Sequence, residues 1–291
     1  MGQRYPKIKN GSFVPAQAAI FLTMLSFPNA KINLGLQVLR KRKDGFHDLA
    51  TVFYPAGWKD ALELIVRGNI PFRLTTSGLS VNGDPESNLC YKAWKLISAD
   101  YDLPALEAHL HKTIPMGAGL GGGSADGAFM LRLLNDVCQL RIPEEKLLIY
   151  AAELGSDCPF FIRNRPVYAT GRGEILEEFP FVLEQYTMVI LMPEIGVPTA
   201  AAFSWITPAE SSSDLRETLK LPPEQWKGKL INDFEEPVSK KYPVIRQLID
   251  YLYEKGALYA AMSGSGASVY GIYRELPEID IPGMNYWKGP C

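Results

Sequence analysis

The sequence predicts an α+β protein built in two halves. Three observations carry that prediction. Segments of strand-like alternation and segments of helical periodicity are mixed in both parts of the chain. A glycine-rich loop (residues 117–123) joins a half-buried strand pattern to a strong helix pattern. A length of 291 residues without internal repeats suits one large domain or two modest ones, with a joint near Glu184.

Taken in order, Leu25 to Leu39 has the pattern of a long strand or strand pair, interrupted by the turn signal Pro28-Asn29. The polar run Arg40 to Gly45 makes a hairpin-type turn, and Thr51 to Tyr54 resumes an extended pattern. Ala61 to Val66 alternates as a further strand. Ser87-Asn88-Leu89 opens a helix to about Asp100, with Leu89, Ala93, Leu96 and Ile97 on one face. Leu106 to Thr113 alternates again. A helix follows over residues 124–138, with Ala125, Ala128, Phe129, Leu131 and Leu134 as its apolar stripe. Pro143 suits the first turn of another helix. Tyr186 to Met192 is a continuous apolar strand, and residues 207–229 predict surface loops around short helices. Pro243 to Glu254 is amphipathic, and Ala257 to Tyr273 predicts a strand, a glycine turn and a strand. Tyr286 to Cys291 fits either a terminal strand or a loose tail.

Composition excludes several classes. Hydrophobic residues make up 47% and charged residues 21%, with a net charge of −2, so no overall field recruits nucleic acid or an acidic membrane. Cys90, Cys138, Cys158 and Cys291 are far apart, without a CxxC pair or neighbouring histidines. They predict free thiols of a reducing compartment rather than a disulfide framework or zinc site. Ala16 to Phe27, after Arg4, Lys7 and Lys9, faintly resembles a signal peptide. Thr23 and Ser26 interrupt it, however, and no small-residue cleavage site follows. The expectation is a natural start at Met24, residues 1–23 as an upstream extension, and a cytoplasmic protein.

The chemistry is concentrated in Pro115-Met116-Gly117-Ala118-Gly119-Leu120-Gly121-Gly122-Gly123-Ser124. Five glycines in seven residues contribute nothing to packing and cost backbone entropy. Their use is that backbone N–H groups can approach a ligand closely, at the start of a helix whose free N–H groups share the same space. That combination binds phosphate. Gly117-x-Gly119-x-x-Gly122 also satisfies the dinucleotide fingerprint of oxidoreductases, but its context fails. Asp136 falls within or at the end of the helix rather than after a second strand, and Pro115 stands where the first strand should enter its turn. No Gly-Lys-Ser/Thr follows, so the Walker pattern fails outright.

Pro-x-Gly-x-Gly-Leu-Gly-Gly-Gly-Ser resembles the ATP-binding signature of the GHMP kinases. Phe27-Pro28-Asn29-Ala30-Lys31-Ile32-Asn33-Leu34 resembles the first motif of that family. Met262-Ser263-Gly264-Ser265-Gly266-Ala267-Ser268-Val269 resembles its third, a glycine turn that closes over the first loop. Three motifs in order cover residues 24–273. The resemblance implies two domains: an N-terminal one (24–185) of ribosomal-S5-domain-2-like fold carrying the glycine loop, and a ferredoxin-like C-terminal one (186–291). Acceptor and ATP are implied to meet in the cleft between them.

Phosphoryl transfer to an alcohol needs a carboxylate to receive the hydroxyl proton, a cation over developing charge and a phosphate cradle. By resemblance, Asp157 is the base and Lys31 its electrostatic partner. Within the ATP-binding stretch 115–124, Gly117 to Ser124 hold the phosphates, Asn88 and Lys112 contact the nucleotide, and Ser124 is a candidate contact to phosphate or magnesium. Magnesium is implied with ATP, although the sequence shows no dedicated metal cage. Lys43-Asp44-Gly45-Phe46-His47-Asp48-Leu49, Leu154-Gly155-Ser156-Asp157-Cys158-Pro159-Phe160-Phe161 and Thr170-Gly171-Arg172-Gly173-Glu174 resemble segments of the group whose acceptor carries a cytidine diphosphate. That implies His47 on the cytosine edge, Phe46 and Phe203 stacking on the base, and Asn33 and Thr199 as further acceptor contacts. The group often has tyrosine where Phe46 stands; stacking survives the change and a hydroxyl contact is lost. The expected partner is a small molecule, with neither nucleic acid nor membrane, for a monomer or homodimer. Another GHMP kinase, an NAD-binding oxidoreductase and a non-catalytic scaffold are the alternatives.

Overall fold

The computed structural model describes residues 23–81, 83–209 and 214–291. Of the expected extension only Thr23 is described. In chain order the first elements are β1 (Thr23–Ser26), β2 (Asn29–Lys41), β3 (His47–Lys59), β4 (Ala61–Val66), β5 (Phe72–Gly78), α1 (Leu89–Asp100) and β6 (Leu106–Lys112). There follow α2 (Gly122–Val137), α3 (Glu144–Leu154), α4 (Cys158–Arg163), β7 (Val167–Gly171), β8 (Ile175–Glu178), β9 (Thr187–Met192) and α5 (Thr199–Ser204). The remainder is α6 (Leu215–Leu219), α7 (Glu235–Lys241), α8 (Pro243–Glu254), β10 (Tyr259–Met262), β11 (Val269–Tyr273) and β12 (Asn285–Pro290).

These elements form two compact units that are discontinuous in sequence. The first takes residues 23–28, Lys59–Thr113 and Gly122–Arg163. Its sheet has the order β1-β4-β6-β5, with β5 parallel to β6 and the other pairs antiparallel. The register sets Leu62 opposite Leu110 and Leu64 opposite Ala108, all four buried on one face. Glu63 and His109 alternate onto the other face, as the two-residue period of a strand requires. Helices α1 to α4 pack on one another, and α2 covers β1 and β4. Asn88 caps α1, its Oδ1 accepting from the Cys90 N–H at 2.9 Å. Gly127 permits the close approach of α1 and α2, since a Cβ there would lie 2.9 Å from the Leu89 Cβ.

The second unit takes Asn29–Trp58, Ile114–Gly121 and Asn164–Cys291. It contains two four-stranded sheets, β2-β3-β7-β8 and β10-β11-β9-β12. Both contribute to one core: Ile32, Leu34 and Val52 from the first sheet, Val189, Ile190, Val269 and Ile272 from the second. The expected continuous apolar strand is β9, central in its sheet between β11 and β12, which is why it lacks a polar alternation. In α8, Ile245, Leu248, Ile249 and Leu252 recur at helical spacing and form its buried stripe. Of the two readings left open for residues 286–291, the terminal strand holds: most of them lie in β12. All four cysteines are free thiols.

Leu252 is fully buried and Glu254 is exposed on the same helix. Leu252→Ala is expected to cost about 2–5 kcal/mol in urea unfolding, and Glu254→Ala less than about 0.5 kcal/mol. Equal costs would contradict the packing described for α8.

Candidate active site

In the second unit, the three motif segments meet at backbone level. The Lys31 N–H donates to the Leu120 carbonyl at 2.8 Å, which fastens β2 to the glycine loop. Ser263 does the same from the third motif. Its hydroxyl donates to the Gly119 carbonyl at 3.0 Å and accepts from the Asn33 N–H at 3.3 Å. The Ser268 N–H adds a bond to the Ala118 carbonyl at 3.1 Å. The expected closure of the second glycine turn over the first is therefore what the structure contains. Gly119 has φ +76°, and a Cβ on it would lie 2.3 Å from the Ser263 carbonyl oxygen, so glycine is required twice over there.

Gly117 and Gly121 also take left-handed φ, +68° and +69°. A Cβ at Gly117 or Gly123 would meet nothing within 4 Å. Among the described residues, no carbonyl accepts from the backbone N–H groups of Gly117 to Gly123. A run of unpaired donors beside open space is what an anion needs.

Lys31 lies on β2, only 4% exposed. Its ammonium donates to Asn33 Oδ1 at 2.7 Å and stands 4.6 Å from the centre of the Phe53 ring. Asn33 in turn donates through Nδ2 to the Thr51 hydroxyl at 3.0 Å, and Thr51 donates to the Gly35 carbonyl at 2.5 Å. This chain fixes the orientation of the Asn33 amide, with its oxygen toward the lysine. Tyr270 adds a bond from its hydroxyl to the Asn33 carbonyl at 2.8 Å.

The aromatic residues expected to contact the acceptor fall in two separate groups. His47, the first residue of β3, stacks on Phe203 of α5 with ring centres 4.6 Å apart and planes 12° from parallel. Phe203 rests edge-on against Phe234. Phe46 is 54% exposed and carries the Arg172 guanidinium 4.8 Å from its ring centre. Thr199, the first residue of α5, has its hydroxyl 3.2 Å from that of Ser265.

In the first unit, Gly122 and Gly123 open α2 and Ser124 lies in its first turn. The Ser124 side chain hydrogen-bonds the Cys158 thiol, which burial nevertheless pushes up to about 12. Asp157 occupies the turn immediately before α4 and is partly exposed. Asn88 is partly exposed, its carbonyl oxygen used as the cap of α1.

Lys112 departs from its expected nucleotide contact. Its side chain is 1% exposed, and its ammonium is held between Asp60 Oδ2 at 2.5 Å and Asp126 Oδ2 at 2.7 Å. Two buried carboxylates take up the cation, and it has no surface from which to reach a ligand. The group fastens β6, the start of β4 and the first turns of α2. With two carboxylates to one ammonium, burial dominates and raises the Asp126 carboxyl to about 8.

Sequence reasoning missed Ser263 and Asn232 as individual contributors. Ser263 was visible within the third motif as a hydroxyl among glycines. Asn232, which donates to the Met262 and Gly264 carbonyls at 2.8 and 2.9 Å, sits in a loop with no local signal.

The glycine cradle, the buried lysine and the clasping turn are those of a phosphoryl-transfer scaffold. The comparisons agree. Residues 88–165 match the family described as GHMP kinases N terminal domain, and residues 215–281 the GHMP kinases C terminal. The chain belongs to the GHMP kinases, a family of small-molecule kinases. It is similar to the 4-diphosphocytidyl-2-C-methyl-D-erythritol kinase of Parabacteroides distasonis, 49% identical over 252 residues, covering 87% of this chain and 92% of that one. The enzyme of the same name from Bacteroides fragilis is 47% identical over 270 residues, covering 92% and 98%. A crystal structure described as 4-(cytidine 5'-diphospho)-2C-methyl-D-erythritol kinase matches with a TM-score of 0.71 and 28% identity, over 85% of this chain and 89% of that one.

Two outcomes test the site. Gly119→Ala is expected to lose more than about 1 kcal/mol of stability from its left-handed φ alone, with ATP binding weakened alongside; Gly123→Ala should keep the fold. Unchanged stability of Gly119→Ala would contradict the clasp. For Asp126, the folded-state value lies above the ordinary value near 3.8. The stability linked to its proton is complete below that ordinary value and is lost as pH rises through about 8. Wild type should therefore lose stability between about pH 4 and about pH 8 relative to Asp126→Asn, by at most about 1.4 kcal/mol per pH unit, and the difference should level off above that range. Parallel stability curves for the two proteins would refute the raised Asp126 carboxyl.

Proposed function

We propose that this chain transfers the γ-phosphoryl group of ATP to the 2-hydroxyl of 4-diphosphocytidyl-2-C-methyl-D-erythritol, a step of non-mevalonate isoprenoid precursor synthesis. The observation that carries this reading is similarity along nearly the whole chain to relatives of that name, together with the phosphate cradle at Gly117–Gly123.

In this reading the acceptor hydroxyl oxygen attacks the γ-phosphorus, and Asp157 takes its proton as the O–P bond forms. The β–γ bridging bond breaks, and the electron pair leaves on ADP. The loop N–H groups cradle the phosphates, and Lys31, oriented by Asn33, stabilises charge developing on the transferring group. His47, Phe46 and Phe203 receive the cytosine, while Asn33 and Thr199 contact the polyol. A hard-oxygen ion such as magnesium suits the Ser124 hydroxyl and the nucleotide phosphates, and it neutralises phosphate charge when bound. Residues 24–185 and 186–291 serve as the family's two domains. The chain works in the cytoplasm on small molecules, as a monomer or homodimer, without nucleic-acid or membrane partners. No helix among the described residues is long and apolar enough to cross a membrane.

The test is ADP release with ATP, magnesium and the cytidylated acceptor, beside mevalonate and homoserine. Turnover is expected with the cytidylated acceptor alone. Asp157→Asn should lower kcat by roughly 10²–10⁴-fold, with the KM for ATP little changed. Turnover of mevalonate or homoserine would keep the kinase and remove the cytidine assignment.

A further inference from the structure

The loop Gly171–Glu174 resembles a segment of the cytidylated-acceptor group but has no task in the mechanism above. In the structure it is a built turn. Gly171 and Gly173 take φ of +69° and +106°, and the Gly173 N–H donates to the Thr170 carbonyl at 3.0 Å. The Glu174 carboxylate accepts from the Arg172 backbone N–H and lies 3.6 Å from the Arg172 Nε. A Cβ on Gly171 would stand 2.8 Å from that carboxylate, so the turn closes tightly around Glu174. What it presents is the Arg172 guanidinium, 4.8 Å from the centre of the Phe46 ring.

Phe46 is fixed from its own side as well. It ends the β2–β3 turn, where its carbonyl accepts from the Arg42 N–H at 2.7 Å and its N–H donates to Asp44 Oδ1 at 3.1 Å. The residue is 54% exposed among charged neighbours. An aromatic ring at the tip of a polar turn offers two apolar faces that planar groups can cover. A guanidinium fits one face, because it is flat, weakly hydrated and attracted by the ring quadrupole. The other face is then a pre-oriented platform for a second planar group, and a nucleobase is such a group.

We infer that Arg172 is a positioning residue for the acceptor: it backs the Phe46 ring and holds it flat for the nucleobase. This rests on the cytidylated acceptor of the proposed function, since mevalonate and homoserine carry no planar ring. Arg172 acts through Phe46 and before any chemistry. Its loss therefore weakens ground-state and transition-state binding alike, which raises KM and leaves kcat in place.

Steady-state kinetics of wild type, Arg172→Ala, Arg172→Lys, Phe46→Ala and the Arg172→Ala/Phe46→Ala double variant test this. Arg172→Ala is expected to raise the acceptor KM roughly three- to fivefold, with kcat and the ATP KM unchanged. Arg172→Lys keeps the charge without the planar stack and should retain most of that rise. In the Phe46→Ala background, Arg172→Ala should add nothing. The unchanged ATP KM serves as the folding control. An unchanged acceptor KM in Arg172→Ala, or the same rise with and without Phe46, overturns the inference while leaving the proposed function standing. Turnover by wild type of an uncytidylated alcohol only overturns both.

Discussion

The Ser263 hydroxyl ties the glycine loop, β2 and the third motif together, beside the direct bond from the Lys31 N–H to the Leu120 carbonyl. Ser263 accepts from the Asn33 backbone N–H and donates to the Gly119 carbonyl, joining segments 144 and 230 residues away along the chain. Neither contact is strong, at roughly 1 kcal/mol for an ordinary hydrogen bond. Their importance is geometric. They require a left-handed glycine at 119, because a Cβ there would strike the same residue's carbonyl. They also require a tight turn at 263–268, which Asn232 supports through the Met262 and Gly264 carbonyls. With Gly119 pinned, no carbonyl among the described residues accepts from the N–H groups of the flanking glycines, and the proposed phosphate cradle is a matter of backbone shape.

The charged groups are handled by burial and pairing. Lys31 is placed in an apolar strand, where its ammonium is satisfied by Asn33 and faces the Phe53 ring. Asn33 is itself oriented by Thr51, so the position of the cation is set two residues deep. Lys112 shows the other use of a buried cation. Between Asp60 and Asp126 it fastens the first turns of α2, the helix whose start carries Gly122 to Ser124. In the proposed mechanism Lys31 serves the chemistry, whereas Lys112 fastens the scaffold, although both read as cations in apolar surroundings.

That difference marks the limit of the sequence. The glycine loop, the three motifs and α1, α8 and β4 were legible because local composition dictates them: a cap at Asn88, helical spacing from Ile245 to Leu252, alternation from Ala61 to Val66. β5 was not, because Arg73 to Gly78 is largely polar and strand structure there comes from pairing with β6. The task of Lys112 was equally hidden, since Asp60 lies 52 residues away and only the fold brings it to 2.5 Å. The His47–Phe203 stack joins β3 to α5 across a far longer gap in sequence, and no periodicity signals it.

The central claim is transfer of phosphate to one particular hydroxyl, and proton-coupled ³¹P NMR of the product reads that position directly. The 2-carbon of the acceptor bears a methyl group and no hydrogen. A 2-phosphate therefore gives a new phosphomonoester signal without three-bond proton splitting, beside an intact diphosphate. That is the expected result. A triplet from a primary ester, a doublet from a secondary one, or inorganic phosphate alone would contradict the account.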